Sequence, residues 1–158
     1  MTWQVNSPDD VQTVLDYFNG FHDGFIHKLI LRSYDRFDRQ GPEITDIAHH
    51  VTGCFDMRLD LAHYNYGQGT QPHDRIVRGF FKNIQDFHLD LRGRKSYEWP
   101  IKNVEITRET RETELGGPEP CFRLTFVWGQ LVDQTWTTRS VQLCTFSHAE
   151  FEERTLSS

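Results

Sequence analysis

The chain has 158 residues, 37% of them apolar and 13% aromatic, and a net charge of −6. That length suits one domain able to bury a sizeable core, and the plentiful rings point to a core built on Phe and Trp. The acidic balance, 17 Lys and Arg against 23 Asp and Glu, excludes a general nucleic-acid binder, which needs a basic footprint.

The same balance suits a basic protein partner, because complementary fields speed encounter, but on charge alone plain solubility is the preferred reading. The opening "MTWQVNSPDD" shows no basic region followed by an apolar run, so no secretory signal is expected. No apolar stretch approaches the ~20 residues of a spanning helix, so the expected location is the cytoplasm and no membrane partner is expected.

A helix is the first signal. In "SPDDVQTVLDYFNG", Ser7 is a natural N-cap and Pro8 falls at the first helical position, where its missing N–H costs nothing. Asp9 and Asp10 fall in the first turn, where the helix dipole favours negative charge. Val11, Val14, Leu15 and Phe18 follow the i, i+3, i+4, i+7 template, and Asn19-Gly20 is a stop signal.

Past Gly24 the period changes. "FIHKLILRSY" reads as a strand and "DRQGPE" as a turn. "CFDMRLDLAH" alternates clearly, with Phe55, Met57, Leu59 and Leu61 on a buried side and Asp56, Arg58 and Asp60 on a wet side. "YNYGQGTQPHD" reads as a loop. "RIVRGFFKNIQDFHLDLRG" predicts two strands with a bend near Lys82-Asn83. In the second, Phe87, Leu89 and Leu91 alternate with Asp86, His88 and Asp90. "WPIKNVEITRET" predicts another strand and "ETELGGPEP" a turn. "CFRLTFVWG" places Phe122, Leu124, Phe126 and Trp128 on one face, and "RSVQLCTFSHAEFEER" closes with one or two strands.

The expected fold is mainly β with α (α+β). It is an antiparallel β-sandwich, or a strongly curved antiparallel sheet, of six to eight strands with an N-terminal helix covering one side. One globular domain is expected over 1–158: the helix over about 8–19, a β-rich body over about 24–153 and a frayed tail over 154–158.

Candidate chemistry is sparse. His22-Asp23 is an HD pair of the kind that ligates metal in some phosphohydrolases, but those pairs sit on helices with further ligands on other helices. The preferred reading is structural, with the Asp23 carboxylate bonding backbone amides at the turn. A metal-dependent hydrolase would have to recruit His22, Asp23 and some of His49, His63 and His73. His49 and His50 are adjacent and would point to opposite faces of a strand. The H-x-E of His148 and Glu150 lacks the downstream Pro-Cys pair of zinc deaminases. Cys54, Cys121 and Cys144 form no framework, and Cys121, beside a turn, is the cysteine expected to be exposed. No cofactor is expected.

The wet faces offer a docking surface. If their strands were neighbours, Asp56, Asp60, Asp86 and Asp90 would share an exposed acidic face, with Tyr64 and Tyr66 in the next loop as aromatic anchors. The plainer reading is an ordinary solvated sheet face.

"YFNGFHDGFIHKLIL", "FFKNIQDFHLDL", "FRLTFVWG" and "VQLCTFSHAEFEE" together resemble a group of small bacterial β-rich domains, the immunity proteins of polymorphic toxin systems and uncharacterised domains beside them. These begin with a short helix and an "FHDA" or "FHDG" phrase, and later carry "F-x-x-I-x-D-F-x-L". The likeness covers most of the chain in layout. Its specific part is Phe21-His22-Asp23-Gly24 and Phe80 to Leu91. The chain departs from the pattern at Gly24, where alanine is common, and in several extra histidines.

The resemblance carries no catalytic residue. It implies that Phe21, His22, Asp23 and Gly24 form a structural junction, with Phe21 plugging the core and Asp23 holding the turn. It also implies a non-enzymatic cytoplasmic antidote that occludes a cognate, basic protein toxin through the acidic face. The alternatives are the metal-dependent hydrolase and a ligand-binding sandwich whose aromatics line a pocket. Exposed edge strands would also serve a homodimer.

Overall fold

The computed structural model describes residues 1–33, 55–63, 75–88, 101–112 and 116–155. Among them the chain forms β1 (Thr2–Val5), α1 (Pro8–Tyr17), β2 (Phe25–Ser33), β3 (Phe55–His63), β4 (Arg75–Ile84), β5 (Ile101–Glu112), β6 (Pro118–Val132), β7 (Thr135–Phe146) and β8 (His148–Thr155). A 3-10 turn, Asn19–Phe21, joins α1 to β2. The strands build two antiparallel sheets, ordered β1-β8-β4-β3-β2 and β5-β6-β7. The described residues are therefore mostly β with one α-helix.

The N-terminal helix forms where its signals place it. Ser7 Oγ accepts from the Asp10 N–H at 3.2 Å, and Asp10 Oδ2 accepts from the Ser7 N–H at 2.9 Å and the Asn6 N–H at 3.0 Å. This reciprocal box satisfies donors that a helix start leaves open. Hydrogen bonds to the Asn6 amide first, and then to Ser7, hold the Asp10 carboxyl below its ordinary range. Val11, Val14 and Phe18 are buried, and Trp3 of β1 packs its ring 4.6 Å from Tyr17 and 4.9 Å from Phe18.

Four sequence expectations are corrected, the last of them at Cys121. Residues 2–5 form a strand that pairs with β8, although the β-rich body was expected to begin near residue 24. The chain does not fray at Arg154. Arg154 and Thr155 still pair with Ile76 and Arg75 of β4, because this ladder continues to the strand ends. Asp86 does not lie on a second strand either. β4 kinks at Asn83 (φ 51°) and ends at Ile84, Gln85 makes a single bridge to Thr145, and Asp86 turns away at φ 52°.

One apolar cluster draws on both sheets, from Met57, Leu59 and Phe81 to Ile101, Phe126 and Phe146. The Phe81 ring of β4 meets Phe146 of β7 edge-on at 5.0 Å, and Phe146 stacks on Phe122 of β6 at 5.5 Å. Only Ser147 separates β7 from β8, so a single residue carries the chain from the small sheet to the large one. Gly79 makes room for this core: a Cβ there would lie 2.6 Å from the Phe81 ring and 3.1 Å from Phe151.

Cys121, expected at the surface, is buried, because it lies in β6 opposite Glu109 instead of in the turn. Burial raises its thiol pKa and pushes that of Cys144 up to about 12. Cys54 lies outside the described residues.

Candidate docking surface

Two features meet at Lys102: the junction after α1 and the far end of the β6–β7 hairpin. The junction is conformationally costly. Asn19, Gly20, Phe21 and Asp23 all have φ between 48° and 62°. Non-glycine residues in this region cost of order 1 kcal/mol each and persist only where their surroundings over-determine them. Here a chain of backbone bonds does so. Phe21, His22 and Gly24 donate to Phe18, Asn19 and Phe21, and the Asp23 N–H donates to the Ile101 carbonyl at 2.7 Å. Phe21 is fully buried, stacked 5.0 Å from Phe18. Gly24 is the residue this turn tolerates, since a Cβ would meet the Phe21 and Ala62 carbonyl oxygens at 2.9 and 3.1 Å.

The Asp23 carboxylate does not bond the turn amides, as the sequence suggested. Its backbone N–H holds the turn, and the side chain faces outward. Its Oδ2 lies 3.0 Å from His22 Nδ1 and its Oδ1 3.8 Å from Lys102 Nζ. All three side chains are substantially exposed.

Lys102 sits at a bulge where β5 shifts register against β6. Its stem lies over Gly129, and its ammonium stands 5.8 Å from the Trp136 ring centroid. Among the described residues β5 pairs with β6 from Ile101, opposite Trp128, and β6 and β7 pair on from Gly129 and Thr138 to Val132 and Thr135. Among those residues this end of the hairpin is a two-stranded ribbon. It closes through Asp133 and Gln134, both at positive φ, the geometry that matches strand twist. Residues 135–140 are all exposed, Trp136 at 63%.

On the other side of Lys102 an open groove of about 630 Å³ runs between α1 and β5. Leu15, Val104 and Ile106 supply its apolar part, Asp16, Lys102 and Glu105 its charges, and His22 a polar ring.

The expected acidic face is not formed by Asp56, Asp60 and Asp86. Asp60 is 3% exposed, because Arg58 and Arg78 both close over it, with Arg58 Nη2 at 2.5 Å and Arg78 Nε at 3.0 Å. Burial alone would raise its pKa, but the bonds and charges of Arg58 and Arg78 outweigh it and hold the carboxyl at about 2. Asp56 is paired to Lys82 at 2.6 Å. Asp86 is exposed but lies off the sheet, with Thr145 Oγ1 3.5 Å from its Oδ2. Asp90, Tyr64 and Tyr66 lie outside the described residues.

Of the alternative metal set, His22 and Asp23 are adjacent as described, while His49, His73 and the side chain of His63 lie outside the described residues. Among the described residues no group of three or more His, Cys, Asp or Glu could hold a metal ion, and no helix is long and apolar enough to cross a membrane. Sequence reasoning read through Trp136 and Lys102. The residue pair Asp133-Gln134 carries no glycine signal for a tight hairpin, so the ribbon was not visible. Comparison with family models, with curated proteins and with solved structures finds no match to this chain.

Proposed function

We propose that the chain is a non-enzymatic binding protein, an immunity protein that neutralises a cognate protein toxin by occluding it, with its two sheets packed as a sandwich. The observation that carries this reading is Trp136. A tryptophan 63% exposed on the β6–β7 hairpin is a poor contribution to folding and a good one to docking. Tryptophan is enriched among binding hot spots. The contacting surface is then the Trp136 ribbon rather than the ion-paired carboxylates of β3.

The experiment is a survival assay. The reading frame adjacent to the gene is expressed in a host cell with and without this protein, and colonies are counted. Killing by the neighbour and rescue by this chain support the reading. Killing without rescue removes it for that partner.

A further inference from the structure

The groove beside α1 has a shape that identifies its occupant. It is lined by six consecutive residues of β5, Lys102 to Thr107. Consecutive residues of a strand point to opposite faces, so a cavity lined by all of them runs along the strand edge and not over a face. β5 is the edge of its sheet, and among the described residues no strand pairs with it on the α1 side. Pairing has nevertheless begun there. Ile101 accepts from the Asp23 N–H at 2.7 Å and donates to the Gly24 carbonyl at 2.9 Å. The chain then turns away into β2, and among the described residues nothing pairs with the rest of the edge, which lines the groove.

The charges choose among extended segments. Lys102 lies beside Asp23 and offsets it, leaving Asp16 and Glu105 as the excess charge of the lining. The flanking helix adds Asp9 and Asp10 and contains no Lys or Arg. Both Asp16 and Glu105 are exposed. We infer that this edge receives an extended, Lys- or Arg-bearing segment of a partner protein as an added strand. Main-chain bonds to β5 would give the grip, Leu15 and Ile106 would take its apolar side chains, and Asp16 and Glu105 its cations. This rests on the reading of the chain as a protein-binding domain and names the chemistry of the partner.

The probe is a fluorescent, end-blocked peptide of alternating Lys and Val, titrated into the intact protein at low salt and read by anisotropy. It is compared with its Glu-Val counterpart and with a Lys-Val peptide N-methylated at alternate residues. The expected result is binding of the Lys-Val peptide only, with new amide-exchange protection along Lys102–Thr107. The double variant Asp16→Lys, Glu105→Lys changes only exposed side chains and should weaken binding by about tenfold or more. Equal binding of the acidic peptide, or no loss on N-methylation at either set of alternate residues, overturns the inference. Edge protection that rises with protein concentration in the absence of peptide overturns it too, in favour of a second copy as occupant. Rescue in the survival assay without peptide binding sinks the groove and leaves the binding reading standing. Peptide binding without rescue keeps the groove and removes the toxin.

Discussion

Lys102 reaches across Gly129 to place its ammonium 5.8 Å from the ring of Trp136, and so ties β5 to β7 across β6. A Cβ on Gly129 would lie 2.8 Å from Lys102 Cε. The variant Gly129→Val should displace the lysine stem and alter the fluorescence of Trp136, an exposed ring. The expected readout is a changed emission intensity relative to a Lys102→Met control that has already lost the cation. An unchanged spectrum would show that lysine and ring do not interact in solution.

Trp136→Ala should separate stability from binding. The ring is 63% exposed, so the thermal midpoint should hold, with a loss within about 0.5 kcal/mol. Affinity for the partner should fall by about 2 kcal/mol or more, the scale of a hot-spot residue. A large drop in the thermal midpoint would assign the ring to folding instead.

Asp60 should make stability depend on acid. Its carboxyl sits at about 2 in the folded protein against an ordinary 3.8. A depressed folded value contributes stability that is complete above the unfolded pKa and is lost as pH falls through the folded one. The gap corresponds to about 2 kcal/mol. Asp60→Asn should therefore lower the urea midpoint at neutral pH, and the difference from wild type should close near pH 2, as followed by denaturation at several pH values. A difference that persists unchanged at pH 2 would mean that packing, not charge, accounts for the loss.

Phe81 and Phe146 join the two sheets. Each is essentially buried, so Phe81→Ala and Phe146→Ala should each cost about 3–5 kcal/mol. Their edge-to-face contact should appear in a double-mutant cycle as a coupling of about 0.5–1.5 kcal/mol. Milder Phe→Leu pairs give the same test if the alanine variants do not fold. Additive losses would place the two rings in independent parts of the core.

Cys121 and Cys144 should be inert in the folded state. Burial disfavours both thiolates, and the thiolate is the reactive form. A thiol reagent at mildly alkaline pH should label neither until denaturant is added, as peptide mapping would show. Rapid native labelling at Cys121 would mean that the end of β6 opens readily.

Much of the secondary structure was legible because local physics determines it. Ser7 and Asp10 fix a helix start by hydrogen bonds within four residues of one another, and Pro8 by its preset φ at the first helical position. The alternation of Met57, Leu59 and Leu61, and of Phe122 to Trp128, reflects a strand with one face on a core, and all of these side chains are buried. That Phe21 plugs the core was expected only from the resemblance of the junction to the immunity-protein pattern, and the ring is fully buried.

The site was not legible, because it depends on which strands become neighbours. The aspartates of β3 read as a wet face, yet β4 brings Arg78 beside Asp60, which Arg58 also pairs, and the carboxylate is buried. Lys102, Gly129 and Trp136 are far apart in sequence and meet only through the β5–β6–β7 register. Among the described residues the edge of β5 is open beyond Ile101, because α1 and the Asp23–Gly24 turn stop one hydrogen-bonded pair into it. Sequence alone determined periodicity and capping, which are short-range. Tertiary structure decided pairing partners, and with them which charges are neutralised.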